Sequence, residues 1–208
     1  ALNAMPIIHA IILGIVQGLT EFLPISSSGH LVMVPQLLGW NELDPSIEKT
    51  FDVALHSGTL IGAIAYLHKD VRRIIVSIFK WLRTREMDKY AHLGLLLLVT
   101  CIPGAILGAL FEDFISENLG KPAFVATNLI VFGIILWFAD KLKGHRKDTN
   151  FEIKDAVVAG ASQAFALAPG VSRSGITMTA LRARGFSREA SARLSFLMLI
   201  PIVAGATL

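Results

Sequence analysis

Two stretches of the sequence decide the fold: GIVQGLTEFLPISSSG at residues 14–29 and GASQAFALAPGVSRSG at residues 160–175. When the second is laid on the first at one constant offset, the shared residues are glycine, glutamine and serine. Such identities rarely arise by chance in apolar sequence, so the pattern predicts an internal repeat. The identical pairs are Gly14/Gly160, Gln17/Gln163, Ser26/Ser172, Ser28/Ser174 and Gly29/Gly175.

Each stretch carries a helix breaker followed by serines in the middle of apolar sequence. Pro24 precedes a run of three serines, and Pro169-Gly170 precedes Ser172-Arg173-Ser174. Proline removes a backbone donor and serine is a strong N-cap, so we expect a helix, a tight turn and a second helix that starts at the serines. Re-entrant segments of this kind occur only where they are buried in protein or line a cavity. The new helix N-termini would present free N–H groups to an anion.

The composition indicates a membrane protein. Of the 208 residues, 53% are hydrophobic and 17% are charged, where about 25% charged is usual for soluble domains. This apolar content excludes disorder, and the single Cys101 excludes a disulfide scaffold. The net charge of +3 comes from clusters between apolar runs, which argues against nucleic acid as a partner. Predicted membrane helices cover 53–67, 91–111, 122–139 and the beginning of a further span at 194–208.

The charges of the connecting segments predict an orientation. Segments 68–90 and 140–148 are basic, whereas 41–49 and 112–121 are acidic. Because basic loops stay on the cytoplasmic side, the acidic loops are expected outside. Within the first basic segment, residues 69–83 have helical apolar spacing and are expected to lie on the cytoplasmic membrane surface. A DNA-binding patch is the weaker interpretation of the same charges.

Three crossings separate the two copies of the repeat, and an odd number inverts the second copy relative to the first. The predicted fold is therefore an all-α integral membrane protein with an inverted-topology repeat and two re-entrant helix-turn-helix segments. We expect one membrane domain, 1–208, with repeat one at 5–67, repeat two at 152–208 and connecting helices at 69–142. Because Leu208 falls inside an apolar run, the second repeat is expected to be incomplete.

Polar and ionisable side chains mark a candidate site. Gln17 and Glu21 share one helix face, where an ionisable group in apolar surroundings is costly and usually functional. His30 directly follows the first serines, and the planar fork of Arg173 fits two phosphate oxygens. Together these groups could hold a metal–phosphate group and perform phosphoryl transfer. Each also has a simpler explanation: Gln17 as helix–helix contact, the serines as caps, His30 as a structural histidine, and Arg173 as the charge partner of Glu21.

Two further function classes compete with an enzyme. Inverted repeats with broken helices also build transporters, so a flippase or carrier of lipid phosphates is the main alternative. A structural membrane subunit is the other, but it would not need Glu21 in the membrane. His56 is expected to be a buried hydrogen-bonding residue, although Asp52 one turn earlier keeps a ligand role open. The chain contains neither a P-loop nor a dinucleotide fingerprint.

The run QGLTEFLPISSSGH at 17–30 resembles the first signature of the undecaprenyl-diphosphate phosphatase family, also called the bacitracin-resistance protein family. PGVSRSG at 169–175 resembles the second. The resemblance implies a multi-pass enzyme of the bacterial inner membrane that hydrolyses undecaprenyl diphosphate to undecaprenyl phosphate and inorganic phosphate. That reaction recycles the lipid carrier of cell-wall synthesis. Family members are longer, with further membrane helices after the last residue here.

The resemblance also implies site residues, a cofactor and partners. A divalent cation, Mg²⁺ or Ca²⁺, is implied, with Glu21 and Gln17 as its candidate ligands. The expected partners are a polyprenyl diphosphate lipid and the bilayer but no nucleic acid, and a homodimer stays open. The attacking group stays open as well: Ser27 with His30 as base, His30 itself, or a water. The candidate catalytic residues are Glu21, Ser27, His30 and Arg173, and the candidate phosphate-binding residues are Ser26, Ser28, Ser172, Ser174, Gly175 and Thr177.

Overall fold

The computed structural model describes residues 6–40 and 45–207, apart from the side chains at 45–49, 112–113, 116–117 and 207. Over these residues the chain forms nine α-helices and no β-strand, so the all-α prediction is confirmed. Two short 3₁₀ turns, Asp148–Asn150 and Phe165–Leu167, complete the regular structure. The helices are α1 Ile7–Thr20, α2 Ser27–Leu37, α3 Pro45–Tyr66, α4 His68–Thr84, α5 Lys89–Asn118, α6 Pro122–Asp140, α7 Ile153–Ala164, α8 Arg173–Ala183 and α9 Arg188–Thr207.

The two repeated stretches form the same local structure, a helix, a turn and a second helix capped by serine. In the first, the Ser26 side chain accepts a hydrogen bond from the backbone N–H of Gly29 at 3.3 Å. In the second, the Ser172 side chain accepts one from Gly175 at 3.0 Å. These caps satisfy N–H groups that the first helical turn leaves without partners. The predicted helix starts and N-caps are therefore confirmed in both copies.

Three helical stretches are long and apolar enough to cross a membrane: Lys89–Phe111, Pro122–Asp140 and Arg188–Ala206. The predictions at 91–111 and 122–139 are thus confirmed. The fourth predicted run begins six residues earlier than its predicted start at 194, because the polar first turn of α9 is also helical. Arginine and glutamate are good helix formers, so the helix does not need to start at its first apolar residue.

The predicted span at 53–67 is helical and forms part of α3. Thr50–Tyr66 and His68–Thr84 are together long and apolar enough for one span, with a bend of 84° between them, so a separate crossing at 53–67 stays a prediction. The chain turns sharply at Leu67, the residue between α3 and α4. The amphipathic segment predicted at 69–83 is confirmed as a helix, and its place on the membrane surface stays a prediction.

Both segments that were predicted to be acidic loops are partly helical. Helix α3 already begins at Pro45, and α5 continues to Asn118 with one non-helical residue, Phe111. The kink at Phe111 coincides with the end of the predicted span, and the chain then stays helical to Asn118, shortly before Gly120 and Pro122. The rest of the first acidic loop, 41–44, lies outside the described residues, as do Met5 of repeat one and Leu208 of repeat two.

Helix α5 runs against α7, α3 against α9, and α6 against α8. The largest buried cluster joins α4, α5, α7, α8 and α9 and includes Leu97, Leu181, Leu194 and Met198. Gly160 allows α7 to approach α5 closely, because a Cβ there would lie 2.9 Å from the Thr100 backbone. The outer side of α6 instead exposes large apolar side chains, as expected of a helix that faces lipid.

One charged network fixes the end of the bundle where α6, α7 and α8 are joined. The fully buried carboxylate of Asp155 accepts hydrogen bonds from Arg146 at 2.6 Å and from Arg184 at 2.8 Å. The hydrogen bonds that Arg146 donates to Asp155 raise the pKa of the Arg146 guanidinium. Arg146 was predicted only as one of several loop charges. In the structure it anchors the loop, and such a role requires a long-range contact that loop composition does not reveal.

Candidate active site

The turns that follow α1 and α7 touch each other. The Ser174 hydroxyl donates to the carbonyl oxygen of Leu23 at 3.1 Å, which joins the second serine cluster to the first turn. Gly170 adopts a φ of +90° and lies so close to the Val125 carbonyl that a Cβ would collide with it. Ser26 has a φ of +67°, a strained value for a residue other than glycine. Strain of this kind occurs where the surrounding structure holds a functional turn in place.

Glu21 is the centre of the polar cluster. Its Oε2 accepts from the Ser27 hydroxyl at 2.6 Å and from Gln17 Nε2 at 3.2 Å, and its Oε1 accepts from Arg173 Nη2 at 3.2 Å. The Glu21 side chain is only 6% exposed. A carboxylate this buried needs a cation or several donors, and here it has both. The structure thus brings together four residues that the sequence singled out.

Arg173 contacts Glu21 of the first repeat and the backbone of α9. Besides Glu21, its Nη1 donates to the backbone carbonyl of Ser195 at 3.1 Å. The Thr177 hydroxyl lies 2.7 Å from the Ser195 hydroxyl and donates to the Arg173 carbonyl at 2.8 Å. Thr177 is fully buried and is not among the cavity-lining residues, so it supports the Arg173 backbone without contacting the cavity. Ser195 was missed from the sequence, because its contribution is a backbone carbonyl in an apolar helix.

The remaining serines form two matching pairs. The hydroxyls of Ser26 and Ser28 lie 3.3 Å apart, and those of Ser172 and Ser174 lie 3.2 Å apart. All four residues line one cavity together with Ser27. Gly175, the remaining predicted phosphate contact, is not among the lining residues, and its backbone N–H is already bound to Ser172.

The structure does not bring His30 into this cluster. Its Nδ1 donates to the backbone carbonyl of Ser26 at 2.7 Å, one turn earlier, and His30 is not among the residues that line the cavity. Among the described residues, the structure records no hydrogen bond between His30 and Ser27. His56 lines the cavity instead, with Nε2 3.9 Å from Glu21 Oε2. The sequence signal for His56 was an imidazole within an apolar run.

The cavity has a volume of ≈ 950 Å³ and a lining of two chemical kinds. Part of the lining is the polar Glu21 cluster, and part consists of small and apolar residues of α5 and α9. Such a lining fits a ligand with a charged head and an apolar chain. The residues of this apolar lining include Gly104, Ala105, Gly108, Ala109, Ile202 and Val203.

The residues of the cluster do not fit a resident metal ion. Among the described residues, no group of three or more His, Cys, Asp or Glu side chains is placed to hold one. Glu21 is already bound by Arg173, Ser27 and Gln17. Of the two ligands that the resemblance implied, only Gln17 retains an acceptor without a hydrogen-bond partner, its Oε1. Where a protein supplies few ligands to Mg²⁺, substrate phosphates and water supply the remaining ones.

The chain is similar to known proteins over nearly its whole length. A family model described as "Bacitracin resistance protein BacA" matches residues 10–208. Proteins named "Undecaprenyl-diphosphatase" from Moorella thermoacetica and Geobacter metallireducens are each 45% identical to it. These alignments cover 98% and 97% of this chain, and 76% and 74% of the relatives. A third, from Pelotomaculum thermopropionicum, is 46% identical over 98% of this chain and 75% of its own length.

Proposed function

The chain belongs to the bacitracin resistance protein family, and we propose that it is a multi-pass undecaprenyl-diphosphatase of the bacterial inner membrane. It hydrolyses undecaprenyl diphosphate to undecaprenyl phosphate and inorganic phosphate, which returns the lipid carrier to cell-wall synthesis. The observation that carries this proposal is the 2.6 Å contact between the Ser27 hydroxyl and the Glu21 carboxylate in a cavity that also has an apolar lining.

Ser27 is the nucleophile in this proposal. It is the first residue of α2, so its hydroxyl lies at the positive end of that helix. Glu21 accepts its proton, because a carboxylate within hydrogen-bond reach of a hydroxyl can serve as the base. The Ser27 oxygen then forms a bond to the terminal phosphorus, the bond from that phosphorus to the bridging oxygen breaks, and undecaprenyl phosphate leaves.

Arg173 changes partner when the substrate enters. Its guanidinium contacts Glu21 and the Ser195 carbonyl in the structure. A diphosphate is a stronger partner for the planar fork, so it draws Arg173 from Glu21 and leaves the carboxylate available as a base. The hydroxyls of Ser26, Ser28, Ser172 and Ser174 donate to the phosphate oxygens. A divalent cation, Mg²⁺ or Ca²⁺, would find only Gln17 Oε1 unpaired among the described side chains of this cluster, and the chemistry it would supply is charge neutralisation at the diphosphate.

The repeated caps at Ser26 and Ser172 support the finer topology in this proposal. Two helix-turn-helix segments of opposite orientation enter the membrane and return, and their tips meet at the cavity. The lipid chain lies against the apolar lining that α5 and α9 supply. A homodimer remains a separate prediction.

Phosphate release separates the enzyme from the alternative carrier. Purified protein in detergent is given undecaprenyl diphosphate, and inorganic phosphate and undecaprenyl phosphate are measured together. Equal amounts of both products support the proposal. Movement of intact lipid diphosphate between the leaflets of reconstituted vesicles, without release of phosphate, would support the carrier and reject the enzyme.

A further inference from the structure

His56 is the imidazole of the cavity, although the sequence pointed to His30. His56 lies on α3, outside both repeated stretches, and its side chain is 32% exposed. Its Nε2 lies 3.9 Å from Glu21 Oε2, the same oxygen that accepts the hydrogen bond from Ser27. The imidazole and the proposed nucleophile therefore lie around one carboxylate oxygen.

The ring of His56 is fixed in a defined tautomer. Its Nδ1 lies 2.8 Å from the backbone carbonyl of Asp52, and a carbonyl oxygen can only accept, so Nδ1 carries the proton. The other nitrogen, Nε2, is thereby the one that exchanges protons with the cavity. A separation of 3.9 Å from Glu21 is too long for a direct hydrogen bond and leaves a water as the natural bridge.

The two chemical steps need two proton acceptors. In the first step Glu21 takes the proton of Ser27, so it is no longer available as a base when water must attack the phosphoserine. The leaving group of the first step is a phosphate, which is weakly basic and needs little help from an acid. The step that still lacks a base is therefore the attack of water.

We propose that His56 is the general base that activates water to hydrolyse a phosphoserine formed at Ser27; this rests on the proposed phosphatase function. Water forms a bond to phosphorus as its proton passes to His56 Nε2. The bond between phosphorus and the Ser27 oxygen breaks, and that oxygen takes back the proton held by Glu21. The proton on His56 then leaves with the phosphate or with water, and the site returns to its starting state.

The test is to trap the covalent intermediate in His56→Gln, which keeps a hydrogen-bonding side chain but removes the base. We expect turnover to fall by about 100-fold or more, as for loss of a positioned general base. Quenched samples should contain a phosphorylated peptide at Ser27, detected by mass spectrometry. Added imidazole should enter the open cavity, speed the decay of this species and raise turnover.

One control and one substitute variant make the outcome specific. His68→Ala removes an exposed imidazole with the same Nδ1-to-carbonyl contact outside the cavity, and it should keep parental turnover and trap nothing. If His56→Gln does not purify as a monodisperse sample, His56→Asn serves in its place. Parental turnover in a His56 variant, or reduced turnover without trapped phosphoserine, would overturn the inference. Absence of phosphate release by the parent protein would instead reject the proposed function.

Discussion

Replacing Glu21 with glutamine tests the centre of the proposed site, because the change keeps size and shape but removes the charge. In the structure the carboxylate accepts from Gln17, Ser27 and Arg173 and is 6% exposed. An amide there offers only one acceptor oxygen, cannot take the proton of Ser27, and leaves Arg173 without its anion. We expect turnover to fall by about 100-fold or more, the usual effect of removing a positioned base.

The same substitution also has a cost in stability, which must be separated from the loss of chemistry. Breaking one side of a buried ion pair typically costs about 3–5 kcal/mol, and the water-accessible cavity beside this pair reduces that figure. A double variant, Glu21→Gln with Arg173→Gln, removes both charges and should recover much of the lost stability. It should not recover turnover, because neither a base nor a clamp for the phosphate is restored.

The assay measures phosphate release at matched protein amount and saturating undecaprenyl diphosphate, together with thermal unfolding in the same detergent. Glu189→Gln is the matched control, since Glu189 is exposed on α9 and lies outside the cavity-lining set. It should leave both quantities close to the parent. Near-parental turnover in Glu21→Gln, or turnover in the double variant that recovers in step with its stability, would exclude Glu21 as the base.

Three further predictions concern the clamp, the lipid and the topology. Arg173→Lys keeps the charge but loses the planar fork, so phosphate release should fall strongly while thermal unfolding changes little; unchanged release would reduce Arg173 to a charge partner. Ala105→Phe adds bulk to the apolar lining of the cavity, so a kinetic comparison should show a larger loss with undecaprenyl diphosphate than with a short-chain analogue; equal losses would exclude this lining as the lipid site. In a Cys101→Ser background, an impermeant thiol reagent applied to intact cells should label a cysteine at Lys121 but not one at Lys143; the reverse would invert the orientation.

The sequence predicted the parts of the fold that depend on neighbouring residues. Proline, glycine and serine act locally, so the breaks after α1 and α7 and the caps at Ser26 and Ser172 could be located from the order of residues. The pairing of Gln17 with Glu21 followed from helical spacing. The apolar runs in α5 and α6 identified two spans for the same reason.

What the sequence did not predict depends on the direction of side chains and on distant contacts. His30 is adjacent to the serines, yet its ring turns back to the Ser26 carbonyl one helical turn earlier. His56 reaches the cavity only because α3 packs beside α1 and α9, which no local pattern specifies. Leu67 ends α3 in a sharp bend that neither glycine nor proline marks.

In the proposed mechanism one serine, Ser27, is activated by Glu21 and performs the phosphoryl transfer. Side-by-side measurement of phosphate release from undecaprenyl diphosphate by the parent, Ser27→Ala and Ser162→Ala tests it most directly. Ser162 is a half-buried serine of α7 that donates to its own helix backbone and lies outside the cavity lining, so its variant should match the parent. We expect Ser27→Ala to fold normally and to lose phosphate release by about 100-fold or more. Parental release by Ser27→Ala would rule out Ser27 as the nucleophile.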